Sequence, residues 1–376
     1  MRLLIVQNMT VFNTIGGVLM SRIDALKSVM DENNIDGLFL VTVPNVRYIS
    51  RFTGSDSFVF ITSKNNYFIT DSRYTEQAEA QCDGFDVIRY GSNSPWKPLM
   101  ETLNDLAKKD VVNRIGFEKE YMTFGMYENM AKNVQNIELV PTSYLVEGLR
   151  NTKDEEEISL IKKASEIADE AYSHILKQIK VGMTEIDLAL ELDYQMRRLG
   201  AEDVSFDTIF ISGKKTSLPH GQPSDKVICH GDLVTMDFGA LYKGYHSDMT
   251  RTVVVGEVNE EQLKIYNLVK KAQQIGLDTV RAGITGEDVD KAVRESMGEY
   301  NKYFGHGLGH GLGLELHEPP FMGANCTTVL KENFVVTVEP GIYIPGWGGV
   351  RIEDTVVIKE DGIDIITHST KELITI

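Results

Sequence analysis

Residues Gly305 to Glu318 read GHGLGHGLGLELHE, and the reading of the chain turns on them. The stretch holds His306, His310 and His317, with four glycines between the first and the last. Glycine at this density makes a poor helix, at a cost of about 1 kcal/mol per residue against alanine. It suits backbone that approaches a bound group closely or takes positive φ. A glycine-rich turn with incidental histidines is the plain alternative to a metal or acid–base site. The flanking sequence weighs for the site.

Upstream, Asp232-Leu-Val-Thr-Met-Asp-Phe-Gly-Ala-Leu-Tyr242 leads through Lys243-Gly244 into Tyr245-His-Ser-Asp-Met-Thr-Arg251. A two-residue turn at Lys243-Gly244 sets Tyr242 against Tyr245 and Asp248 against Gly239. Asp237 then lies diagonal to Asp248 on one face. Downstream, Phe334-Val-Val-Thr-Val-Glu-Pro-Gly-Ile-Tyr-Ile344 returns as Val350-Arg-Ile-Glu-Asp354. A five-residue loop, Pro345 to Gly349, would pair Ile344 with Val350 and Glu353 with Gly341, with Glu339 diagonal to Glu353. Strand interiors disfavour acids, and like charges so placed repel. Two acids on each hairpin make sense around a cation.

Asp237, Asp248, Glu339 and Glu353 with His310 would balance two divalent ions. So hard an oxygen set suits Mn²⁺ or Co²⁺ better than a sulfur-rich zinc site would. A metal pair can hold a bridging water, lower its pKa and stabilise a developing oxyanion. His306 and His317 flank His310 and could handle protons, although a structural role is as plausible for either alone. His220, in Leu218-Pro-His-Gly221, is near enough in sequence to reach the same place.

The chain has 376 residues, 42% hydrophobic and 25% charged, enough for two soluble domains. A net charge of −17 argues against nucleic acid or an anionic membrane as partner. Cys82, Cys229 and Cys326 are far apart, which fits a reducing, cytoplasmic setting without disulfides or a thiolate zinc site. No apolar run reaches membrane-span length. Residues 1–19 show no clear signal-peptide pattern. They are expected to be a dispensable extension ahead of a helix patterned from Met20.

A first domain over 20–145 is expected from α/β alternation: a helix from Ser21, a buried strand Gly37–Val43 closed by Pro44-Asn45, and strands Phe58–Thr62 and Tyr67–Thr70. Pro141 to Asn151 reads as a linker to a second domain over 150–376. Thr152 with Glu155 suggests a capping box for the next helix. Lys180-Val-Gly-Met-Thr-Glu-Ile-Asp187 and Arg281-Ala-Gly-Ile-Thr-Gly-Glu-Asp288 lie 101 residues apart, as do the two hairpins near Leu233 and Phe334. A duplicated half-domain is expected, with the site between its halves.

These residues closely resemble the pita-bread metallopeptidases, in the Xaa-Pro aminopeptidase and prolidase branch. His306 to Glu318 fits its histidine signature, with Leu316 in place of the usual β-branched residue. Glu339-Pro-Gly341 and Arg351-Ile-Glu-Asp354 also match. Asn45-Val-Arg-Tyr48, Phe52-Thr-Gly-Ser55 and Thr70-Asp-Ser-Arg-Tyr74 resemble the family's creatinase-like domain. The resemblance implies an α+β chain: a creatinase-like α/β domain followed by a pita-bread catalytic domain. It implies two divalent ions, Mn²⁺ first with Co²⁺ or Zn²⁺ as alternatives, held by Asp237, Asp248, His310, Glu339 and Glu353. Glu339 would also shuttle a proton. His220 and His317 would stabilise the tetrahedral intermediate and orient substrate, supported by His306 and Arg351. Proline-containing peptides are the expected substrates and a homodimer the expected assembly.

Within the branch, many microbial prolidases carry an arginine four residues after the histidine matching His317, where this chain has Phe321. That favours an Xaa-Pro aminopeptidase over an Xaa-Pro dipeptidase. A methionine aminopeptidase would share the five ligands but not the first domain or the His306/His310 pair. A non-catalytic or creatinase-like relative would lose ligands that are all present here.

Overall fold

The computed structural model describes residues 21–91 and 96–376, so the expectation for residues 1–19 lies outside them. The chain forms two compact units, Met1–Arg150 and Asn151–Ile376.

The first unit runs α1 (Arg22–Glu32), β1 (Gly37–Leu40), α2 (Val43–Ser50), β2 (Ser57–Thr62), β3 (Asn66–Thr70), α3 (Thr75–Gln81), β4 (Asp86–Arg89), α4 (Trp96–Asp110), β5 (Arg114–Glu118), α5 (Phe124–Asn133), β6 (Glu138–Thr142) and α6 (Leu145–Arg150). Ser21 starts α1 by accepting the Asp24 N–H. The strands form one mixed sheet in the order β4-β3-β2-β1-β5-β6. Leu99, Met100, Leu103 and Ala107 of α4 pack with Phe39, Phe60, Tyr67 and Ile115 of the sheet.

Two expectations are corrected here. The first strand stops at Leu40, and Pro44 belongs to the first turn of α2, where its missing N–H costs nothing. Pro141–Asn151 is no linker. Pro141 sits in β6, at the sheet edge where a lost donor is tolerated, and α6 buries Leu145, Val146 and Leu149. The motif residue Asn45 is buried, donates to Glu118 and Glu147, and accepts from Arg150. Burial pushes the Glu118 carboxyl up to about 7.

The second unit opens with α7 (Glu155–Ile175), α8 (Glu185–Arg198), β7 (Asp203–Val204), β8 (Ile209–Ser212), β9 (Leu233–Phe238), β10 (Ala240–Tyr242), β11 (Tyr245–His246) and β12 (Met249–Val254). It continues with α9 (Glu260–Thr279), α10 (Gly286–Ser296), β13 (Gly309–Gly311), β14 (Glu318–Met322), β15 (Val335–Val338), β16 (Gly341–Ile344), β17 (Gly348–Arg351), β18 (Asp354–Lys359) and β19 (Gly362–Ile365). The capping box of α7 is Asp154 with Glu157, not Thr152 with Glu155.

The duplication is visible in the elements. One half has α7, α8 and the antiparallel sheet β12-β9-β8; the other has α9, α10 and β18-β15-β13 within a larger sheet. Thr184 caps α8 and pairs with Val227, while Thr285 caps α10 and pairs with Val329. Each half has its own core, Leu188, Phe210, Val234 and Met249 in one, Val269, Val293, Val336 and Val356 in the other. Among the described residues, no helix is long and apolar enough to cross a membrane.

Candidate metal centre

In the first hairpin Tyr242 opposes Tyr245, and Phe238 opposes Met249 in the same register. That register carries Asp248 opposite Gly239, as expected, and sets Asp237 opposite Thr250. The second hairpin differs. Ile342 opposes Val350 and Gly341 opposes Arg351, so three residues, 345–347, make the turn. It is tight because the Trp347 N–H donates to the Ile344 carbonyl. The β15–β18 ladder keeps this register, with Val338 opposite Asp354, so Glu339 lies directly across from Glu353, not diagonally. A slip of two residues preserves the faces. Both glutamates still point to one side.

His310 comes from the middle of β13, paired with Phe321 of β14. Its Nδ1 lies 3.0 Å from the Gly311 carbonyl, so the proton sits there and Nε2 keeps its lone pair. Nε2 lies 3.5 Å from Asp248 Oδ2 and 3.4 Å from Glu339 Oε1. Asp248, His310 and Glu353 are all buried, and each offers a donor atom within 4.8 Å of the others. Asp237 Oδ2 accepts from Arg351 Nη2 at 2.5 Å.

The electrostatics of this cluster are those of a site built for cations. Burial, then the neighbouring Asp237 and Glu339, hold the Asp248 carboxyl well above its ordinary range. Burial, then Asp248 and Glu339, do the same to Glu353, and burial raises Glu339. Asp237 Oδ1, Asp248 Oδ1 and Glu353 Oε1 are buried and accept no hydrogen bond. An unpaired buried carboxylate oxygen is costly. Two of the three residues, Asp248 and Glu353, group with His310 closely enough to hold a divalent metal, with Asp237 as their charged neighbour, and the all-oxygen-and-nitrogen donor set suits a hard ion.

Around these side chains stands a polar frame of which sequence reasoning named Arg351 and His306 but missed Thr250, Arg251, Thr337 and Tyr343. Thr250 Oγ1 donates to Glu353 Oε2 at 2.7 Å and accepts from Arg351 Nε at 3.0 Å. Thr337 Oγ1 accepts the His310 N–H and donates to Glu339 Oε1. Arg351 Nη1 donates to the Tyr343 oxygen at 2.8 Å, and the Tyr343 hydroxyl lies 2.9 Å from His306 Nε2. His306 Nδ1 faces the Gly307 carbonyl, so its proton belongs there and Tyr343 donates to Nε2. Arg251 donates to the Glu353 carbonyl and to Asp354 Oδ1, on the side away from the donors. Thr250 alternates in phase with Asp248, a weak hint for a residue type common on strands, and in the structure a Cβ on Gly341 would stand 2.2 Å from the Tyr343 hydroxyl, so that glycine allows a close approach.

The remaining predicted residues line the open side. His306 is half-buried, and burial followed by the Arg351 charge pushes its imidazole down to about 4. His317 meets His310 edge-on at 4.3 Å between ring centroids. It is exposed by area, yet the protein packed around its ring and the His310 neighbour push it down to about 4. His220 is exposed and close enough to bear on both histidines electrostatically; Arg351 donates to the Pro219 carbonyl beside it. Phe321, opposite His310, is 47% exposed.

The profile described as "Metallopeptidase family M24" matches residues 159–360, and that of the "Creatinase/Prolidase N-terminal domain" matches residues 22–152. An uncharacterized peptidase of Bacillus subtilis is 46% identical, over 94% of this chain and 99% of that protein. The solved structure of an Xaa-Pro dipeptidase from Bacillus anthracis superposes with a TM-score of 0.91 at 43% identity, covering 94% and 99% of the two chains. That of an X-Pro aminopeptidase from Thermotoga maritima gives 0.85 at 37%, covering 93% and 100%.

Proposed function

The chain belongs to metallopeptidase family M24, and we propose that it is an exopeptidase that cuts the Xaa-Pro bond at the N-terminus of peptides. The first unit is its creatinase-type domain and the second has the pita-bread fold. The three unpartnered buried carboxylate oxygens carry the metal-dependent reading. Asp237, Asp248, His310, Glu339 and Glu353 would hold two divalent ions, with Mn²⁺ favoured by the oxygen-rich set. When bound, such ions lower the pKa of water and polarise a carbonyl.

The chain's own residues do the rest. Glu339, oriented by Thr337, holds and returns a proton. His317 and His220, on the open side, donate to the substrate carbonyl as charge develops on its oxygen and orient the peptide. Both nitrogens of His306 are engaged, so it holds its place without charge at neutral pH, supported by Tyr343 and Arg351. The bond before proline lacks an N–H, so extended backbone pairing cannot recognise it and a shaped pocket must. The three free cysteines suit a reducing, cytoplasmic setting.

Phe321 selects peptides over dipeptides in this account. A dipeptide presents a free carboxylate just beyond proline, and an aromatic ring cannot anchor it. Hydrogen bonds to charged groups contribute about 1.5–3 kcal/mol, and about 1.4 kcal/mol is tenfold in rate. The expected kcat/KM on Xaa-Pro-Yaa therefore exceeds that on Xaa-Pro by roughly ten- to a hundredfold. Phe321→Arg should narrow or reverse the ratio. The second reading, an Xaa-Pro dipeptidase, is favoured by the name of the Bacillus anthracis structure. Equal or better turnover of the dipeptide by the unaltered enzyme would establish it.

A further inference from the structure

His220 lies in the connection between β8 and β9, and its ring makes no hydrogen bond among the described residues. Its aim is set by the backbone that carries it. One side chain pins that backbone on both sides of the histidine. Glu185, the first residue of α8, is completely buried. Its Oε1 accepts the Ser212 N–H at 2.7 Å and the Ser212 hydroxyl at 2.9 Å, where the connection leaves β8. Its Oε2 accepts the Ser224 N–H at 3.1 Å and the Ser224 hydroxyl at 2.9 Å, beyond His220. The Lys215 ammonium adds a third point, 2.7 Å from the same Oε2 and 2.7 Å from Ser224 Oγ. At the far end of the span, the Gly349 N–H donates to Thr216 Oγ1 and Arg351 donates to the Pro219 carbonyl. Glu185 closes the base.

Stability alone does not account for this carboxylate. Thr184 caps α8 by accepting the Asp187 N–H, so the helix starts without help from Glu185. Taking a carboxylate and an ammonium out of water costs about as much as their attraction returns, so such a pair stabilises little and is better suited to fixing one geometry. The duplicated half supplies an internal control. The position matching Glu185, 101 residues on, is Gly286, where a Cβ would stand 2.3 Å from the Phe321 carbonyl oxygen. Thr285 caps α10 as Thr184 caps α8, so the same helix start forms with no side chain at that position. The carboxylate is particular to the half whose connection carries His220.

We propose that Glu185 is a positioning residue, which joins the two ends of the span and so holds His220 where it can donate to the substrate carbonyl. The inference rests on the role given to His220 above. Glu185→Gln is the sharpest probe, because an amide keeps the volume but accepts at one oxygen alone. It must release either Ser212 or Ser224, and it turns an N–H towards their donors and Lys215.

Proton–carbon spectra of the full chain with labelled histidine rings read the placement without substrate or metal, the His220 signal being the one lost in His220→Ala. Glu185→Gln should shift or broaden that signal and leave those of His174 and His368 in place, which shows that the fold is intact. With Mn²⁺ and an Xaa-Pro-Yaa tripeptide, Glu185→Gln should lower kcat roughly ten- to a hundredfold with KM within about twofold, as expected for a donor misplaced from a developing charge. Combined with His220→Ala, it should slow the enzyme by no more than about twofold beyond His220→Ala alone, since the two act as one unit. Ser224→Ala removes a single bond to the same carboxylate, and should move the His220 signal less; it keeps the test available if Glu185→Gln folds poorly. An unmoved His220 signal in both variants, or losses that multiply in the double variant, overturns the proposal and leaves the role of His220 standing. Full activity of His220→Ala overturns that role, and the proposal with it.

Discussion

Asp237 gives one carboxylate oxygen to Arg351 and leaves the other without a partner, while Asp248 and Glu353 each leave one buried oxygen unpaired. The raised carboxyls of Asp248 and Glu353 bind protons more readily in the folded than in the unfolded chain. Their contribution to stability is therefore present below the ordinary carboxylate range and lost as pH rises through the raised values. At neutral pH the metal-free centre is strained. Glu353→Gln should raise the melting temperature of chelator-treated protein at pH 7.5 and abolish the further rise on adding Mn²⁺; a lower metal-free melting temperature would refute the strain. His306 works in the opposite sense. Its unfolded value is about 6.5 and its folded value about 4, so its stabilisation is present above 6.5 and lost as pH falls towards 4. His306→Gln should flatten the fall in melting temperature between pH 7 and 4. An unchanged slope would show that the folded imidazole titrates normally.

At the scale of elements, Thr184 and Thr285 cap equivalent helices in separate halves. Each threonine-to-alanine substitution should cost about 1 kcal/mol. The pair should be additive, since separated sites rarely couple beyond about 0.5 kcal/mol. Denaturant unfolding of the double variant checks this, and strong coupling would mean the halves do not carry independent caps. The five proposed donors could be picked out because acids on apolar strands stand out and strand alternation assigns their faces; the structure groups Asp248, His310 and Glu353 directly. Their register was legible only in part: Lys243-Gly244 specifies a two-residue turn, whereas Pro345-Gly-Trp-Gly-Gly349 admits more than one loop length. Prolines misled twice, since Pro44 starts a helix and Pro141 rides an edge strand, both places where a missing N–H is harmless. Tyr343, Thr250 and Thr337 went unread because hydroxyls on strands are common and only their spatial partners mark them.

At the scale of the molecule, the 101-residue repeat was readable, and the proposed donors come from both of its halves. The first unit's motif residues bond to one another. The Tyr74 hydroxyl meets Ser55 Oγ at 3.0 Å, Phe52 packs edge-on to Tyr74, and Arg73 pairs with Asp71. They read as framework for that unit. The central claim is that five residues from the two halves of the second unit form one two-metal centre, and anomalous diffraction at the manganese edge from Mn²⁺-loaded crystals tests it most directly. Two peaks are predicted, about 3.5–4 Å apart, in contact with Asp237, Asp248, His310, Glu339 and Glu353. A single peak, or peaks away from these five residues, would contradict it.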